Sequence, residues 1–150
     1  FSFGRTMSTA CVVDDVVYIS ELQGYLHCLD AKTGKKYWQY DCKGAIWGSP
    51  YFVDGKVYLA TEGSDLFVFK HEKEPKVLDP LDVQVDTGLP PEQQQKDYTK
   101  KMKLKLKEVE KAVLLNKIEF GAPIRSTPIV ADGVLYVMTE NTLYAFGTKK

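Results

Sequence analysis

The sequence predicts an all-β fold, a β-propeller of four-stranded antiparallel blades with about three blades present and one charged insertion that reads as a helix. Three observations predict it. The segments Ser8–Ile19, Gly48–Leu59 and Ser126–Val137 align without a gap, at offsets of 40 and 78 residues, so that the second offset is one period plus an insertion. Each copy is a strand-like run, then Asp-Gly (Asp-Asp in the first copy), then a second run rich in Val, Leu and Tyr. Asp-Gly between two such runs is a hairpin signal, because Gly supplies the positive φ that a tight turn needs. Further strand patterns follow each hairpin, and four antiparallel strands per period of about 40 residues is the arithmetic of a propeller blade.

The elements fall in order along the chain. Phe1-Ser2-Phe3 stands where the outer strand of a preceding blade would end, which gives a blade remnant over residues 1–4. The first full blade takes residues 5–43, with its third strand at Tyr25–Asp30 and its fourth at Lys36–Tyr40. The second takes residues 44–121, with a third strand at Leu66–Lys70, an insertion over 74–112 and a fourth strand at Val113–Phe120. The third, residues 122–150, has a hairpin and a third strand at Leu143–Gly147 and then stops. A closed ring needs more blades. In closed propellers the missing outer strand of a last blade is often supplied by the other end of the chain, which would make Lys150 a true C-terminus and place further blades before Phe1. The absence of an initiator Met fits a processed or truncated product.

The insertion changes composition. Pro75, Pro80, Pro90 and Pro91 break it early, and Gln93-Gln94-Gln95 and a Lys-rich run follow. Tyr98, Met102, Leu106, Val109 and Val113 recur at helical spacing, one face of a helix beginning near Pro91. Met102, Leu104 and Leu106 also alternate with Lys101, Lys103, Lys105 and Lys107, a pattern that equally suits a strand with Lys guarding an exposed edge. The helix is the preferred reading. A docking arm for a partner protein and a solvated decoration are equally weighted roles.

One stretch carries a family resemblance. Cys28-Leu29-Asp30-Ala31-Lys32-Thr33-Gly34-Lys35-Lys36-Tyr37-Trp38 resembles the tryptophan-docking motif A-x-D-x-x-T-G-x-x-x-W of pyrroloquinoline quinone (PQQ)-type repeats, which also occur in BamB-like outer-membrane assembly lipoproteins; only Cys28 departs from the pattern. The resemblance implies that Thr33-Gly34 turns the chain between the third and fourth strands and that Trp38 packs against the neighbouring blade. The other copies keep the hairpin and lose the motif, with Val68-Phe69-Lys70 and Ala145-Phe146-Gly147 in place of Ala-x-Asp. Such repeats serve both quinone-dependent alcohol and sugar dehydrogenases and non-catalytic scaffolds, so the fold alone does not assign an activity.

Composition narrows the partners. The chain is 44% hydrophobic and its 20 basic and 20 acidic residues cancel, which leaves no electrostatic footprint for nucleic acid or an anionic membrane. Within the insertion, Glu108 and Glu110 offset the lysines. No apolar run approaches the ~20 residues of a membrane span. Cys11, Cys28 and Cys42 are an odd number without C-x-x-C spacing and read as small buried hydrophobes. Asp14, Asp15, Asp54 and Asp132 read as turn residues, and His27 and His71 lack metal-ligand spacing.

One cluster is expected from topology. First strands begin and second strands end on the same rim of a propeller, so Arg5, Met7, Trp47, Arg125, Glu21, Glu62 and Glu140 should gather at one mouth of the central channel. A polar rim around a water-filled channel is the preferred reading, a peptide-binding surface the second and a cofactor pocket the third. In the quinoenzymes this region holds quinone and calcium, but neither the adjacent cysteine pair nor the Glu, Asn and Asp calcium ligands of many of those enzymes is found. The resulting expectation is a non-catalytic scaffold or interaction module of a bacterial cell-envelope or periplasmic protein, without a cofactor, whose partners are other subunits or further blades. The alternatives are part of a PQQ-dependent alcohol or sugar dehydrogenase, with PQQ and calcium, and an accessory subunit of a redox assembly.

Overall fold

The computed structural model describes residues 3–78 and 83–147; the expectations that rest on Phe1, Ser2, Pro80 and Lys150 lie outside the described residues. Three antiparallel sheets follow one another. The first is β1 (Cys11–Val13), β2 (Val16–Ser20), β3 (Tyr25–Asp30) and β4 (Lys36–Asp41), in that order across the sheet. The second repeats it with β5 (Tyr51–Val53), β6 (Lys56–Ala60), β7 (Asp65–Lys70) and, after the helix α1 (Pro91–Val113), β8 (Leu114–Glu119). The third has β9 (Ile129–Ala131), β10 (Val134–Met138) and β11 (Leu143–Gly147).

The hairpin turns hold both central residues at positive φ: 48° and 61° at Asp14 and Asp15, 48° and 69° at Asp54 and Gly55, 51° and 74° at Asp132 and Gly133. That is the turn whose twist matches the strands it joins, and Asp is among the few side chains that tolerate it. A register shift recurs at equivalent places, between Cys28 and Leu29 and between Val68 and Phe69.

The core lies between the sheets rather than inside any one of them. Directly opposed residues share a face, so Tyr18, Leu26, Cys28, Trp38 and Tyr40 form one face of the first blade, here the leading face. It meets the trailing face of the second blade: Trp38 stands 6.0 Å from Phe69, and Tyr40 stands 5.1 Å from Phe69 and 5.8 Å from Phe67, between ring centroids. The leading face of the second blade (Tyr58, Ala60, Leu66) packs in the same way on Leu135, Val137 and Tyr144 of the third. A hydroxyl clasp accompanies each junction. Thr9 N–H donates to Ser49 Oγ at 2.9 Å, and Ser49 N–H donates to Thr127 Oγ1 at 2.8 Å, both from the segment ahead of the innermost strand. His71 adds a tie between the first two blades, its Nδ1 2.9 Å from the Tyr18 hydroxyl and its Nε2 3.3 Å from Asp14.

The insertion forms the helix. Pro91 opens it, Glu92 lies in its first turn and Lys111 in its last, each suited to the helix dipole. The alternating stretch goes helical because residues 91–108 are almost all good helix formers, with Thr99 the one β-branched side chain. The fourth strand accordingly starts at Leu114, since Val113 still belongs to the helix and is buried with Val109. Although inserted in the second blade, α1 rests on β4 of the first, where Val109 and Val113 join the inter-blade core. Ahead of the helix, Leu78 donates its N–H to Tyr37 O at 2.6 Å and bridges in parallel to Trp38. The insertion thereby covers an outer strand edge that would otherwise be open.

Candidate functional site

The docking-motif residues form one compact turn. Asp30 Oδ1 accepts hydrogen bonds from Thr33 N–H (2.6 Å), Thr33 Oγ1 (2.7 Å) and Lys32 N–H (3.0 Å), and Oδ2 accepts from the Tyr37 hydroxyl at 2.8 Å. These donors, those of Thr33 first, hold the Asp30 carboxyl down at about 2. Gly34, at φ +71°, returns its N–H to Asp30 O at 2.9 Å. Cys28 is fully buried, and burial pushes its thiol up to about 12. Opposite it, the buried Trp38 ring lies 6.0 Å from Tyr18 on its own blade and 6.0 Å from Phe69 on the next. In the second blade Asn116 stands opposite Val68, where the first has Trp38 opposite Cys28. Of the thiols, Cys42 is also buried, Cys11 is half-buried, and all three are free.

On one rim of the second and third blades, where the sequence places the mouth of a channel, four of the expected residues meet. Arg125 donates from Nε (2.9 Å) and from a terminal nitrogen (2.6 Å) to Glu62 Oε1, and reaches Glu140 Oε1 at 3.4 Å. Trp47 Nε1–H donates to Glu62 Oε2 at 3.0 Å. The Trp47 bond and the guanidinium together lower the Glu62 carboxyl, and the bond to Glu62 raises Arg125. The groups come from two blades: Trp47 and Glu62 from the second, Arg125 and Glu140 from the third. A small open pocket beside them is lined by Pro123, Ser126, Met138 and Thr139.

The other three expected residues do not join, and the repeat register explains why. Leu22, Glu62 and Glu140 each donate N–H, at 2.7, 2.8 and 2.8 Å, to the carbonyls of Arg5, Ala45 and Pro123. Leu22 is therefore the first-blade counterpart of Glu62 and Glu140, and Glu21 corresponds to Thr61 and Thr139, whose places are buried. Glu21 accordingly turns inward and meets the buried His27 Nε2 at 2.8 Å, where burial lowers the imidazole pKa. Met7, rather than Arg5, is the counterpart of Trp47 and Arg125. Arg5 and Met7 are exposed, and neither makes a side-chain hydrogen bond or ion pair among the described residues.

Sequence reasoning missed the hydroxyl clasp and the His71 tie. The clasp had a visible signal, a Ser or Thr at the same place in all three copies (Thr9, Ser49, Thr127). The tie had none, because His71 lies outside the repeated segment.

Sequential antiparallel sheets, two of four strands and one of three among the described residues, packed face to face, define the class: a β-propeller. The comparisons carry this further. The family model for the outer membrane protein assembly factor BamB matches residues 3–74. BamB from Moraxella catarrhalis superimposes with a TM-score of 0.60 at 16% identity, over 94% of this chain and 33% of that one. Quinohemoprotein alcohol dehydrogenase from Comamonas testosteroni gives 0.55 at 17% identity, over 88% of this chain and 17% of that one. The computationally designed Ika4 protein gives 0.56 at 12% identity, over 93% and 64%. No curated protein matches the sequence. At these identities the likeness is one of fold, and the chain spans about a third of the BamB structure. Residues 3–74 thus match the BamB-type model of the PQQ-like repeats, and the chain as a whole has the fold of a partial β-propeller.

Proposed function

We propose that the chain is a non-catalytic propeller scaffold, an interaction module of a bacterial cell-envelope protein or complex. The observation that carries this reading is the self-contained channel mouth. Arg125 is held by two carboxylates, and both oxygens of Glu62 are already engaged, by Arg125 and by Trp47. One guanidinium facing two carboxylates leaves the cluster net negative, which opposes a quinone bearing several carboxylates. Among the described residues no group of three or more His, Cys, Asp or Glu is arranged to hold a metal ion. A rim of that charge, with its carboxylates already engaged, favours a scaffold over a seat for PQQ with calcium.

The rest of the molecule supports the same reading. Rigid blades locked by repeated junctions give a broad, stable surface. The family matched over residues 3–74 is described as an assembly factor, which favours an envelope assembly role over redox chemistry. The partners are then other protein subunits or further blades.

The test is intact native mass spectrometry of the protein isolated from its own cells under mild conditions. Co-purifying protein subunits without a small-molecule mass increment are expected. A mass gain equal to one quinone plus calcium would overturn the scaffold reading in favour of a dehydrogenase.

A further inference from the structure

The helix α1 has two faces, and the fold uses one. Val109 and Val113 are buried against β4. At about 100° per residue, the exposed Lys96, Lys100, Lys103, Lys107 and Lys111 fall within about 80° of arc, on a line roughly 140° round the helix from those valines. The line is about 22 Å long. None of its five ammonium groups makes a hydrogen bond or ion pair among the described residues, whereas Lys101 beside it is tied to Asp97 at 2.7 Å and to Gln84 O at 3.2 Å. α1 is internal to the chain and held at the junction of the first two sheets, so neither end of the chain determines what this face exposes.

A helix that needed only solubility would mix the signs of its charges, so that neighbours one turn apart attract. Here they repel. Each lysine of the line stands three or four residues from the next, and Lys103 has no carboxylate at any such position. Residues 96–107 hold six lysines against one aspartate, and that aspartate, Asp97, is already held by Lys101. The chain as a whole is neutral, so the line is a local excess rather than a share of a general one.

Two features say what it fits. Carboxylates bound the line, Glu92 ahead of it and Glu108 and Glu110 near its end, so an anion that ran on past it would be repelled and the matching surface is a short acidic one. Beside the line, Val83, Gln84, Lys101, Leu104 and Lys105 line an open hollow of about 220 Å³, with Leu104 60% exposed. An apolar side chain next to acidic ones would fill it. A bilayer and a nucleic acid fit less well. The apolar face that a membrane-surface helix inserts is buried on β4, and the line offers neither Arg for phosphate nor an aromatic ring for a base.

We propose that this lysine face of α1 docks an acidic segment of a partner protein, with Asp and Glu side chains opposite Lys96, Lys100, Lys103 and Lys107 and one apolar side chain in the hollow at Leu104. The proposal rests on the reading of the chain as an interaction module and names the chemistry of its partner.

Zero-length carbodiimide coupling, which joins an amine to a carboxylate in contact with it, tests this on the protein isolated with its subunits from its own cells. Cross-links from lysines of the line to Asp or Glu of a co-purifying subunit are expected. Lys100→Glu/Lys103→Glu should lower the retained subunit about tenfold, the effect of two surface charge pairs lost and reversed. Lys35→Glu/Lys73→Glu makes the same change in net charge and should leave retention as before. Leu104→Ser should weaken it at constant charge. Should glutamate unsettle the helix by circular dichroism, Lys100→Gln/Lys103→Gln replaces that variant. Subunits that co-purify but are cross-linked only elsewhere, or are retained equally by both double variants, overturn this proposal and leave the scaffold reading standing; the absence of any subunit overturns both. If the subunit is retained while binding to phosphatidylglycerol vesicles or to a single-stranded oligonucleotide is lost, the face belongs to a lipid or a nucleic acid instead.

Discussion

Replacing Trp38 by alanine removes the largest side chain that the first blade presents to the second. The ring is 3% exposed, faces Cys28 across its own sheet and lies 6.0 Å from both Tyr18 and Phe69, so its loss leaves a cavity bounded by two blades that cannot close without moving one sheet against the other. Truncating a buried Trp costs about 3–5 kcal/mol. Against a total of about 5–15 kcal/mol for an ordinary domain, that is a large share of the stability. The assay is urea unfolding followed by circular dichroism, with the m-value compared between variants so that a change in midpoint reads as a change in stability. Hydrogen exchange should locate the loss in β4 and β7. Trp38→Phe keeps an aromatic ring against Tyr18 and Phe69 and should lose less than half as much. The reasoning fails if Trp38→Ala costs under ~1 kcal/mol, or if the phenylalanine variant is as damaged as the alanine one.

Other consequences are as direct. Ser49→Ala strips the acceptor from Thr9 N–H and should cost about 1 kcal/mol in the same unfolding assay, with faster exchange confined to the junction of the first two blades. Val109→Ala removes two methyl groups where the helix sits on β4; about 2 kcal/mol should be lost, and amide exchange should accelerate across residues 91–113. Asp15→Gly relieves a non-glycine residue at φ 61° and should raise the melting temperature, provided the exposed Lys32 pair to Asp15 contributes as little as surface pairs usually do. For Asp30, the folded carboxyl at about 2 lies below the unfolded value of about 3.9, so its contribution is complete above pH ~4 and lost as pH falls towards 2. A carboxyl titration followed by NMR should give that low value, and Asp30→Asn should flatten the acid limb of the stability profile in that window.

The blades were legible in the sequence because a propeller writes its period into the chain. Val-Asp-Gly and its variants fix the hairpins through backbone conformation, and Val, Leu and Tyr at alternate places fix which face is buried. The helix was legible only in part, since Lys and Leu in alternation satisfy two periods at once, and the choice fell to the propensity of the intervening residues. The channel mouth was legible as a place and less so as a list of residues. Glu21 resembles Glu62 and Glu140 in type but stands one residue out of register, and a one-residue shift at the end of a strand turns a side chain from the rim into the core. That Val109 and Val113 pack on the preceding blade could not be read from spacing, which shows that a helix has an apolar face but not which strand receives it.

The placement of α1 bears on the order in which the blades assemble. The first sheet closes over consecutive short turns, but β8 pairs with β7 only after residues 71–113 have been threaded between them. Held as free coil, a segment of that length costs only modestly more to close than a short one, because the entropy grows with the logarithm of length. The greater problem is time, since during the wait β7 exposes an unpaired edge beside Phe67 and Phe69. In the folded chain the β4 edge receives Leu78, Val109 and Val113, and the helix held there ends where Leu114 begins β8. β4 is thus part of what completes the neighbouring sheet, and damage to β4 is expected to slow the pairing of β8 with β7, a change that folding kinetics of β4 variants would read.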